Sequence, residues 1–294
     1  MKPTLATANF NVDDIQTLSM MEITDAEFNR IREVIYSSFG IRLTDEKRSL
    51  VVGRLQKYIK SKGFQSFSEY LHFLDINPSP ANLSELVNRI STNHTFFFRE
   101  KEHFEFFTET ALPEVTDRLR KTNSRDLRVW CAGCSTGEEA YGLHLLMMEY
   151  FGREYGLWDA GLLATDISEK VLAVAREGVY GEDRMEQMPG AYKTKYFERR
   201  PDGQWVANER LKKELTFRRF NLMNEQFPFK KPFHVIFCRN VMIYFDVPTR
   251  DALAKRFYDC TAPGGYLFIG HSESLGRDRT PFQYVRPAVY RRLP

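Results

Sequence analysis

The stretch that decides the fold runs from Leu127 to Tyr141 and reads LRVWCAGCSTGEEAY. Its apolar first part ends at Gly133, and apolar residues at helical spacing begin within five residues. A strand, a glycine turn and a helix bring the backbone close to a bound nucleotide-like group, because glycine permits a tight turn and carries no side chain. The stretch therefore predicts a ligand-binding turn of an α/β sheet.

Three kinds of chemistry could use this turn. It fits the nucleophile elbow of an α/β-hydrolase, with Ser135 as the nucleophile and Asp246 and His271 following in the order of a triad. Cys131 and Cys134 also fit a thioredoxin-like dithiol at a helix start. The third possibility is a glycine loop for adenosine and its attachments, with an acid one strand later that holds the ribose.

Composition narrows the class of protein. The chain has 294 residues, 43% of them hydrophobic, and its net charge of +3 does not indicate a nucleic-acid binder. It shows neither a signal peptide nor an apolar run of about 18 residues, so no membrane insertion is expected. Four cysteines in such a chain indicate reduced thiols, and they lack the paired spacing of a zinc site. These features predict a cytoplasmic monomer that needs no metal.

Residues 1–20 lack strong periodicity and are expected to form a flexible tail, whereas residues 21–90 are typical of a small all-helical domain. Thr24 and Glu27 form the capping box of a first helix. A second helix, from about Asp45 to Lys62, has a basic face that is typical of a solvated surface or of a docking surface for an acidic partner. Its predicted inward residues are Leu50, Val51 and Leu55.

Residues 91–125 are expected to be a linker followed by a connecting helix from about Lys101 to Lys121. The linker contains three consecutive phenylalanines, Phe96 to Phe98, which are expected to plug the interface between the domains. Packing does not explain the polar residues on either side of them, which are Asn93, Thr95 and Arg99.

Residues 126–294 alternate between strand-like and helix-like patterns, which predicts a doubly wound α/β sheet. One buried strand ends at Asp166, the position where nucleotide-binding sheets hold a ribose. Another buried strand ends just before Asn240. Because ligands of such sheets bind at the carboxyl ends of the strands, Asp166, Asn240 and Tyr244 are expected to face the same crevice as Gly133.

Two further segments of this domain have their own patterns. Residues 178–220 are polar and punctuated by glycine and proline, which predicts an inserted antiparallel β-subdomain with Leu215 to Phe217 as one of its short strands. The segment from Tyr284 to Arg292 is aromatic and β-branched, which predicts one edge strand.

The alternatives differ in how much of the chain they explain. The hydrolase hypothesis lacks an oxyanion segment of the His-Gly-Gly type and leaves Asp166 and Asn240 without a role. The dithiol hypothesis explains only its two cysteines. A nicotinamide-dependent oxidoreductase is disfavoured because Ser135 replaces the middle glycine of the usual loop.

Five short motifs then follow one another along the chain. They are Asn93-x-Thr95-x3-Arg99, Ser135 to Glu139, Ala164 to Ile167, Asn221-Leu222 and Arg239-Asn240-Val241-x2-Tyr244. Over residues 21–292 the chain resembles the chemotaxis receptor methyltransferases, the CheR family. The resemblance implies a helical N-terminal domain, a Rossmann-like class I methyltransferase sheet and a small β-subdomain inserted in it.

The resemblance also implies S-adenosylmethionine-dependent methylation of glutamates on the cytoplasmic helices of chemoreceptors, with S-adenosylhomocysteine as the product. Arg99 and Tyr244 are the implied catalytic residues, and Arg54 and Lys57 on the basic helix are the expected receptor contacts. The residues expected around the cofactor, including Gly133 of the turn, are Asn93, Thr95, Arg99, Gly133, Glu138, Asp166, Asn221, Leu222, Asn240 and Val241.

The implied methyl transfer requires few catalytic groups from the protein. A glutamate with an ordinary pKa of about 4.3 is already an anion at neutral pH, so the acceptor needs no general base. Cys131 stands where adenosine-binding loops often have an acid. The stretch from Arg199 to Gln204 is short for gripping a receptor's tethering peptide, which predicts tether-independent action. The remaining alternative is a module that senses the cofactor without turnover, and only activity separates the two.

Overall fold

The computed structural model describes residues 21–91, 93–276 and 278–294, so the predicted tail at residues 1–20 lies outside the described part. A helical N-terminal domain precedes a mixed sheet of seven strands, and a separate sheet of three strands is inserted in the second domain. This arrangement confirms the predicted fold class. Among the described residues, no helix combines the length and the apolar character needed to cross a bilayer.

Four helices build the N-terminal domain. Thr24 caps the first through the predicted box with Glu27, and Gly40 ends it in the left-handed conformation. Their apolar faces pack into one core that includes Phe28, Leu55 and Phe67. The helices are α1 (Asp25–Phe39), α2 (Arg48–Ser61, preceded by a 3₁₀ turn at Asp45–Lys47), α3 (Phe67–Ile76) and α4 (Pro80–Ile90).

The prediction that Leu50 faces this core is wrong. Its side chain is 45% exposed, whereas Val51 and Leu55 are fully buried. The inward face of α2 is completed instead by Val52 and Ile59. A run of three apolar residues, Leu50 to Val52, spans too wide an arc of a helix for every member to point inward, and spacing alone does not show which one is left out.

The connecting helix is divided by a π-helical turn. The helix α5 (Lys101–Phe106) leads into the wide turn Phe107–Ala111, and α6 (Leu112–Lys121) follows. Pro113 has no N–H to donate to the preceding turn, which accounts for the interruption of the regular hydrogen-bond ladder. The phenylalanines of the divided helix pack under the large sheet, since Phe104 and Phe107 both contact Phe237.

Seven strands form the large sheet, in the order β6 (Leu215–Arg219), β2 (Leu162–Asp166), β1 (Val129–Ala132), β7 (Phe233–Cys238), β8 (Thr261–Ile269), β10 (Val289–Arg291) and β9 (Gln283–Arg286). The first five strands in this order pair in parallel, and the last two add antiparallel pairs. The strands that bear on the site are β1, β2, β6, β7 and β8.

Both faces of this sheet are covered, as a doubly wound fold requires. Val129 and Cys131 belong to one buried cluster, whereas Trp130 and Ala132 belong to another on the opposite face. The covering helices are α7 (Glu138–Phe151), α8 (Glu169–Glu177) and α12 (Val247–Cys260).

The inserted sheet is smaller than predicted. Its strands are β3 (Val179–Tyr180), β4 (Phe197–Arg199) and β5 (Trp205–Ala207), in the order β3-β5-β4. The segment from Leu215 to Phe217, predicted to belong to this insert, lies in β6 and pairs in parallel with β2 instead. Local pattern cannot distinguish an edge strand of one sheet from a strand of another, because the pairing partner is distant in sequence. Short helices accompany the insert: α9 (Glu182–Met185), α10 (Gly190–Tyr196) and α11 (Glu209–Lys212).

The C-terminal edge is a hairpin rather than the predicted single strand. The strand β9 (Gln283–Arg286) turns at Ala288, which has a φ of 61°, into β10 (Val289–Arg291). The strand β10 pairs with β8, so β9 forms the edge of the sheet.

Candidate functional site

A cavity of about 270 Å³ opens at the carboxyl ends of β1, β2 and β7. Of the residues predicted to bind the cofactor, all but Glu138 line it, and so does Tyr244. The carboxyl ends of parallel strands are where doubly wound sheets bind ligands. The cavity is therefore the candidate site, and its walls come from both domains and from the linker between them.

The glycine turn forms one wall. Gly133 has a φ of 88°, and its N–H donates to the carbonyl of Thr165 at 2.7 Å. A Cβ added at Gly133 would lie 2.4 Å from Cγ2 of Val241, so the turn and the end of β7 touch with no room for a methyl group. Glycine is required here by conformation and by contact.

Gly133→Ala should reduce the free energy of unfolding by more than the roughly 1–2 kcal/mol that a left-handed backbone costs an alanine. The excess comes from the clash with Val241. Gly203→Ala is the matched control, because Gly203 has a φ of 84° but open space around its added Cβ. Urea unfolding measures both variants, and equal losses would show that the contact with Val241 has no energetic consequence.

Asp166 stands at the tip of β2, as predicted. Its carboxylate accepts the N–H of Ser135 and the N–H of Ser168, each at 2.9 Å. Burial raises the pKa of Asp166, and these amide hydrogen bonds oppose that rise. Each carboxylate oxygen has a second lone pair, so the group can accept two more hydrogen bonds from a ligand in the cavity.

At the start of α7, Glu139 lines the cavity, whereas Glu138, the residue predicted to lie beside the cofactor, does not. The carboxylate of Glu138 is buried beneath the turn, where it accepts from the Thr136 hydroxyl at 2.7 Å and from Arg184 at 3.1 Å. Adjacent residues at a helix start point about 100° apart, and the sequence does not show which of the two faces the ligand.

A buried arginine crosses the base of the site. Arg239, whose side chain is 1% exposed, pairs with Glu100 at 3.0 Å and with Glu139 at 2.9 Å. It also donates to the backbone carbonyl of Arg99. One guanidinium therefore ties the linker, the start of α7 and the end of β7 together. Arg239 belongs to one of the five sequence motifs, but no role could be predicted for it from the sequence.

Arg239 acts to lower the pKa of both carboxylates, yet their net pKa shifts have opposite directions. For Glu100, burial is the largest influence and acts to raise the pKa, but Arg239 and hydrogen bonds from Asn240 and the His271 N–H outweigh it, and the pKa is lowered. Burial raises the pKa of Glu139, whose additional donor within the described part of the chain is the thiol of Cys131 at 3.2 Å. The additional donors explain the difference, since a thiol is a weak donor.

The linker forms a second wall with its polar residues. Asn93, Thr95 and Arg99 all line the cavity, and Arg99 donates to the carbonyl of His94 at 2.9 Å. Phe97 is fully buried against Tyr180 and Phe197 of the inserted sheet. Phe98 is also buried, against Phe104 and Tyr192. These two phenylalanines anchor the linker, whereas Phe96 lines the cavity itself.

The N-terminal domain closes the opposite side. Phe39, Ile41 and Val87 line the cavity, a contribution that the sequence did not reveal. Ile41 forms an antiparallel bridge with Phe245, and the N–H of Arg42 donates to the carbonyl of Tyr244 at 2.8 Å. The helical domain thus fixes the loop that carries Tyr244.

Asn221 and Leu222 lie where this domain meets the sheet. The side-chain amide of Asn221 donates to the carbonyl of Ser38 at 2.8 Å, and its oxygen accepts the N–H of Met223 at 3.0 Å. Asn221 therefore joins the two domains as well as lining the cavity. The nearby Leu222 contributes an apolar surface.

Asn240 and Val241 continue the site from the end of β7. Asn240 has a φ of 58° and donates from its side-chain amide to Glu100 at 3.2 Å. Its backbone N–H donates to Glu273 at 3.0 Å, and Glu273 also accepts the N–H of Ile243 at 3.1 Å. A buried carboxylate thus shapes the loop from Asn240 to Tyr244.

The described residues form neither a hydrolase triad nor a reactive dithiol at this turn. The Ser135 hydroxyl is buried, with no hydrogen-bond partner among the described residues, so it contacts no base. Asp246 caps α12 by accepting from Thr249, and the ring of His271 lies against His103. Cys131 and Cys134 are free thiols. Burial raises their pKa values well above the usual range, the opposite of what a reactive dithiol needs.

Glu100, His103 and His271 form a polar cluster behind the cavity, with ligand-type atoms within 4.8 Å of one another. The sequence did not single it out, because its members are far apart in the chain. Burial, with help from the charge of Arg239, lowers the pKa of His103 to about 3. His103 is therefore neutral at physiological pH and adds no positive charge beside Arg239.

The expected receptor contacts differ in their surroundings. Arg54 donates to the carbonyls of Ile90 at 2.7 Å and Ser91 at 3.3 Å, so it joins α2 to the end of α4. Lys57 lies one turn further along α2 and is exposed. A substitution at Arg54 would disturb the domain itself, whereas one at Lys57 would change only the surface.

The donor set fits S-adenosylmethionine. Asp166 can accept from ribose hydroxyls, Glu139 can accept from an ammonium group, and Arg99 can pair with a carboxylate. Apolar side chains from both domains, among them Ile41 of the helical domain and Leu222 of the sheet domain, can cover an adenine ring. The buried, unpartnered hydroxyl of Ser135 supplies one further polar group at the cavity wall.

Comparison with known proteins agrees with this geometry. The model of the all-alpha domain of CheR methyltransferases matches residues 26–91, and the model of their S-adenosylmethionine-binding domain matches residues 93–290. The chain is 43% identical over 272 residues to the chemotaxis protein methyltransferase of Borreliella burgdorferi, covering 92% of this chain and 96% of that protein. It is 35% identical over 280 residues to the chemotaxis protein methyltransferase of Escherichia coli, covering 94% of each. The chain therefore belongs to the CheR methyltransferase family, with S-adenosylmethionine as its cofactor.

Proposed function

We propose that this chemotaxis methyltransferase transfers the methyl group of S-adenosylmethionine to glutamate side chains on the cytoplasmic helices of chemoreceptors. The products are glutamyl methyl esters, and the reaction serves sensory adaptation in the cytoplasm. The observation that carries the proposal is a cavity with an arginine and a tyrosine, Arg99 and Tyr244, beside the acids assigned to the cofactor.

An acceptor carboxylate suits the charges of this cavity. The Arg99 guanidinium uses one nitrogen to hold the His94 carbonyl, and a guanidinium offers five N–H donors in all. It can therefore also pair with a carboxylate, either that of the cofactor or that of the acceptor. Arg239 is buried between two glutamates, so its charge is already balanced. Arg99 is the cavity arginine that we assign to a ligand.

The reaction then requires alignment rather than proton transfer. When bound, S-adenosylmethionine supplies an electrophilic methyl group on a sulfonium. A glutamate with an ordinary pKa of about 4.3 carries no proton at neutral pH, so no residue has to remove one. The chain's contribution is to orient the acceptor with Arg99 and Tyr244 and to exclude water, with the helical domain covering the site.

His94 tests this mechanism, because it is exposed and carries the one imidazole among the described residues that line the cavity. His94→Phe keeps an aromatic ring against Phe96, whose centroid lies 5.8 Å away. Methyl transfer by this variant should stay within about twofold of the wild type, whereas losing a general base costs roughly 10²–10⁴-fold.

Initial rates with radiolabelled cofactor and a purified chemoreceptor cytoplasmic fragment from the same organism measure the effect. Cofactor affinity, measured by calorimetry, controls for damage to the cavity. A hundredfold loss of rate with intact cofactor affinity would indicate an acceptor that must be deprotonated, such as an amine, and would contradict the proposal.

The receptor contact is part of the same proposal. Lys57 is exposed on α2 and suits an acidic partner, because opposite charges steer association. Arg54 stays part of this proposed contact, but it also joins α2 to α4, so Lys57 is the residue whose substitution tests receptor binding without disturbing the domain. The turn between β4 and β5 is short, and the Arg200 N–H closes it by donating to the Gln204 carbonyl at 2.8 Å. Because so short a turn offers little surface for a receptor's tethering peptide, we propose that the protein acts without such a tether.

A further inference from the structure

The exposed leucine of α2 lies on the face of that helix that looks toward the cavity. Lys47, Leu50, Arg54 and Lys57 are spaced by three, four and three residues, which places them on one side of a helix. Lys47 lies over the ring of Tyr244, 5.6 Å from its centroid. The side chain of Leu50, 45% exposed, is thus flanked by two basic residues of the same face.

Further along this face of α2, Arg54 also contacts a residue that lines the cavity. Arg54 donates to the carbonyl of Ser91, and both Ser91 and Tyr244 line the cavity. Leu50 lies between Lys47 and Arg54 on the helix, so it stands beside the mouth of the cavity. It belongs to neither the helical core nor the cavity wall.

A second exposed apolar side chain borders the same mouth. Ile243 lines the cavity and is 46% exposed, and it immediately precedes Tyr244 in the chain. Single exposed apolar residues are common on protein surfaces and need no explanation. Here two exposed apolar side chains, one from each domain, flank the entrance of one site. Such a grouping is typical of an interaction surface.

We propose that Leu50 and Ile243 form an apolar rim that packs against apolar side chains next to the acceptor glutamate on the substrate helix. This inference rests on the proposed function and specifies its substrate. The basic residues of the same face, Lys47 and Lys57, favour acidic positions on that helix. The partner is therefore an amphipathic helix with apolar residues three or four positions from the modified glutamate, since those positions share its face.

Leu50→Ser and Ile243→Ser test the rim, with Ile76→Ser as the control. Ile76 is 64% exposed at the end of α3 and does not line the cavity. Each rim variant should raise KM for the receptor fragment about tenfold, or about 1.4 kcal/mol. This is slightly less than the full burial of an apolar side chain contributes, because Leu50 and Ile243 are already about half buried. Cofactor affinity by calorimetry should stay within about twofold for Leu50→Ser, because Leu50 does not line the cavity, and Ile76→Ser should match the wild type.

A receptor fragment with serines in place of the apolar residues flanking its glutamate completes a double-mutant cycle. It should raise KM for the wild type but add little for Leu50→Ser. The rim proposal is overturned if KM is unchanged in the rim variants, if the effects in the cycle are additive, or if Leu50→Ser loses cofactor affinity as much as receptor affinity. If the wild type binds the cofactor by calorimetry but transfers no methyl group to the fragment, the proposed function is contradicted. The rim proposal, which rests on that function, is then contradicted as well.

Discussion

Arg239→Met should lower the free energy of unfolding by about 3–5 kcal/mol, the cost of removing one partner from a buried ion pair. The reason is that Glu100 and Glu139 would remain buried without the guanidinium that lies 3.0 Å and 2.9 Å from them. Methionine has a similar length and removes the charge without leaving a large cavity. Cofactor affinity should fall as well, because Arg239 also holds the backbone of Arg99.

Arg120→Met provides the comparison on the surface. Arg120 pairs with Glu154 at 3.2 Å, and both side chains are about half exposed. Such a pair contributes about 0–1 kcal/mol, because water and salt screen it. Urea unfolding of both variants at one pH measures the difference. A loss at Arg239 as small as that at Arg120 would mean that the two glutamates take up protons at little cost, and the network would then not hold the site together.

Asp166→Ala should weaken S-adenosylmethionine binding at least tenfold, or about 1.4 kcal/mol. Two effects combine in this variant. The ligand loses the acceptor assigned to its ribose hydroxyls, and the glycine turn loses the carboxylate that holds the Ser135 and Ser168 amides at 2.9 Å. S-adenosylhomocysteine shares the adenosine part and should lose affinity to the same extent.

Asp117→Ala controls for the loss of an acid elsewhere, since the Asp117 side chain is 66% exposed on α6. Calorimetric titration with both ligands gives the affinities, and thermal unfolding shows whether the variant remains folded. Undiminished binding by a folded Asp166→Ala protein would remove the ribose role from this residue and would require the cofactor to lie elsewhere in the cavity.

The sequence predicted the parts of the site that are local in the chain. The glycine turn at Gly133 and the acid at the end of β2 follow from the rule that parallel strands present ligands at their carboxyl ends. Asn240, which follows β7, comes from the same rule, and the family resemblance added the linker residues as well as Asn221, Leu222 and Val241. All of these positions except Glu138 line one cavity, although their roles toward the cofactor stay predictions.

The features of the site that could not be predicted from the sequence depend on contacts between segments that are distant in the chain. The helical domain's share of the cavity, such as Ile41, arises from its docking on the loop at Phe245. The choice between Glu138 and Glu139 depends on Arg184 and Arg239, which occupy opposite sides of the helix start. The exposure of Leu50 likewise follows from which face of α2 its neighbours cover. Periodicity describes a helix but not its partners.

Identification of the modified residue tests the central claim most directly. The wild type would be incubated with S-adenosylmethionine labelled in its methyl group and with the cytoplasmic fragment of a chemoreceptor from the same organism. Tandem mass spectrometry then locates the label, and mild alkali tests the bond. The proposal predicts methyl groups on glutamate side chains that alkali releases as methanol, because an ester hydrolyses readily. An alkali-stable methyl group on a nitrogen, or no transfer at all by protein that binds the cofactor, would contradict it.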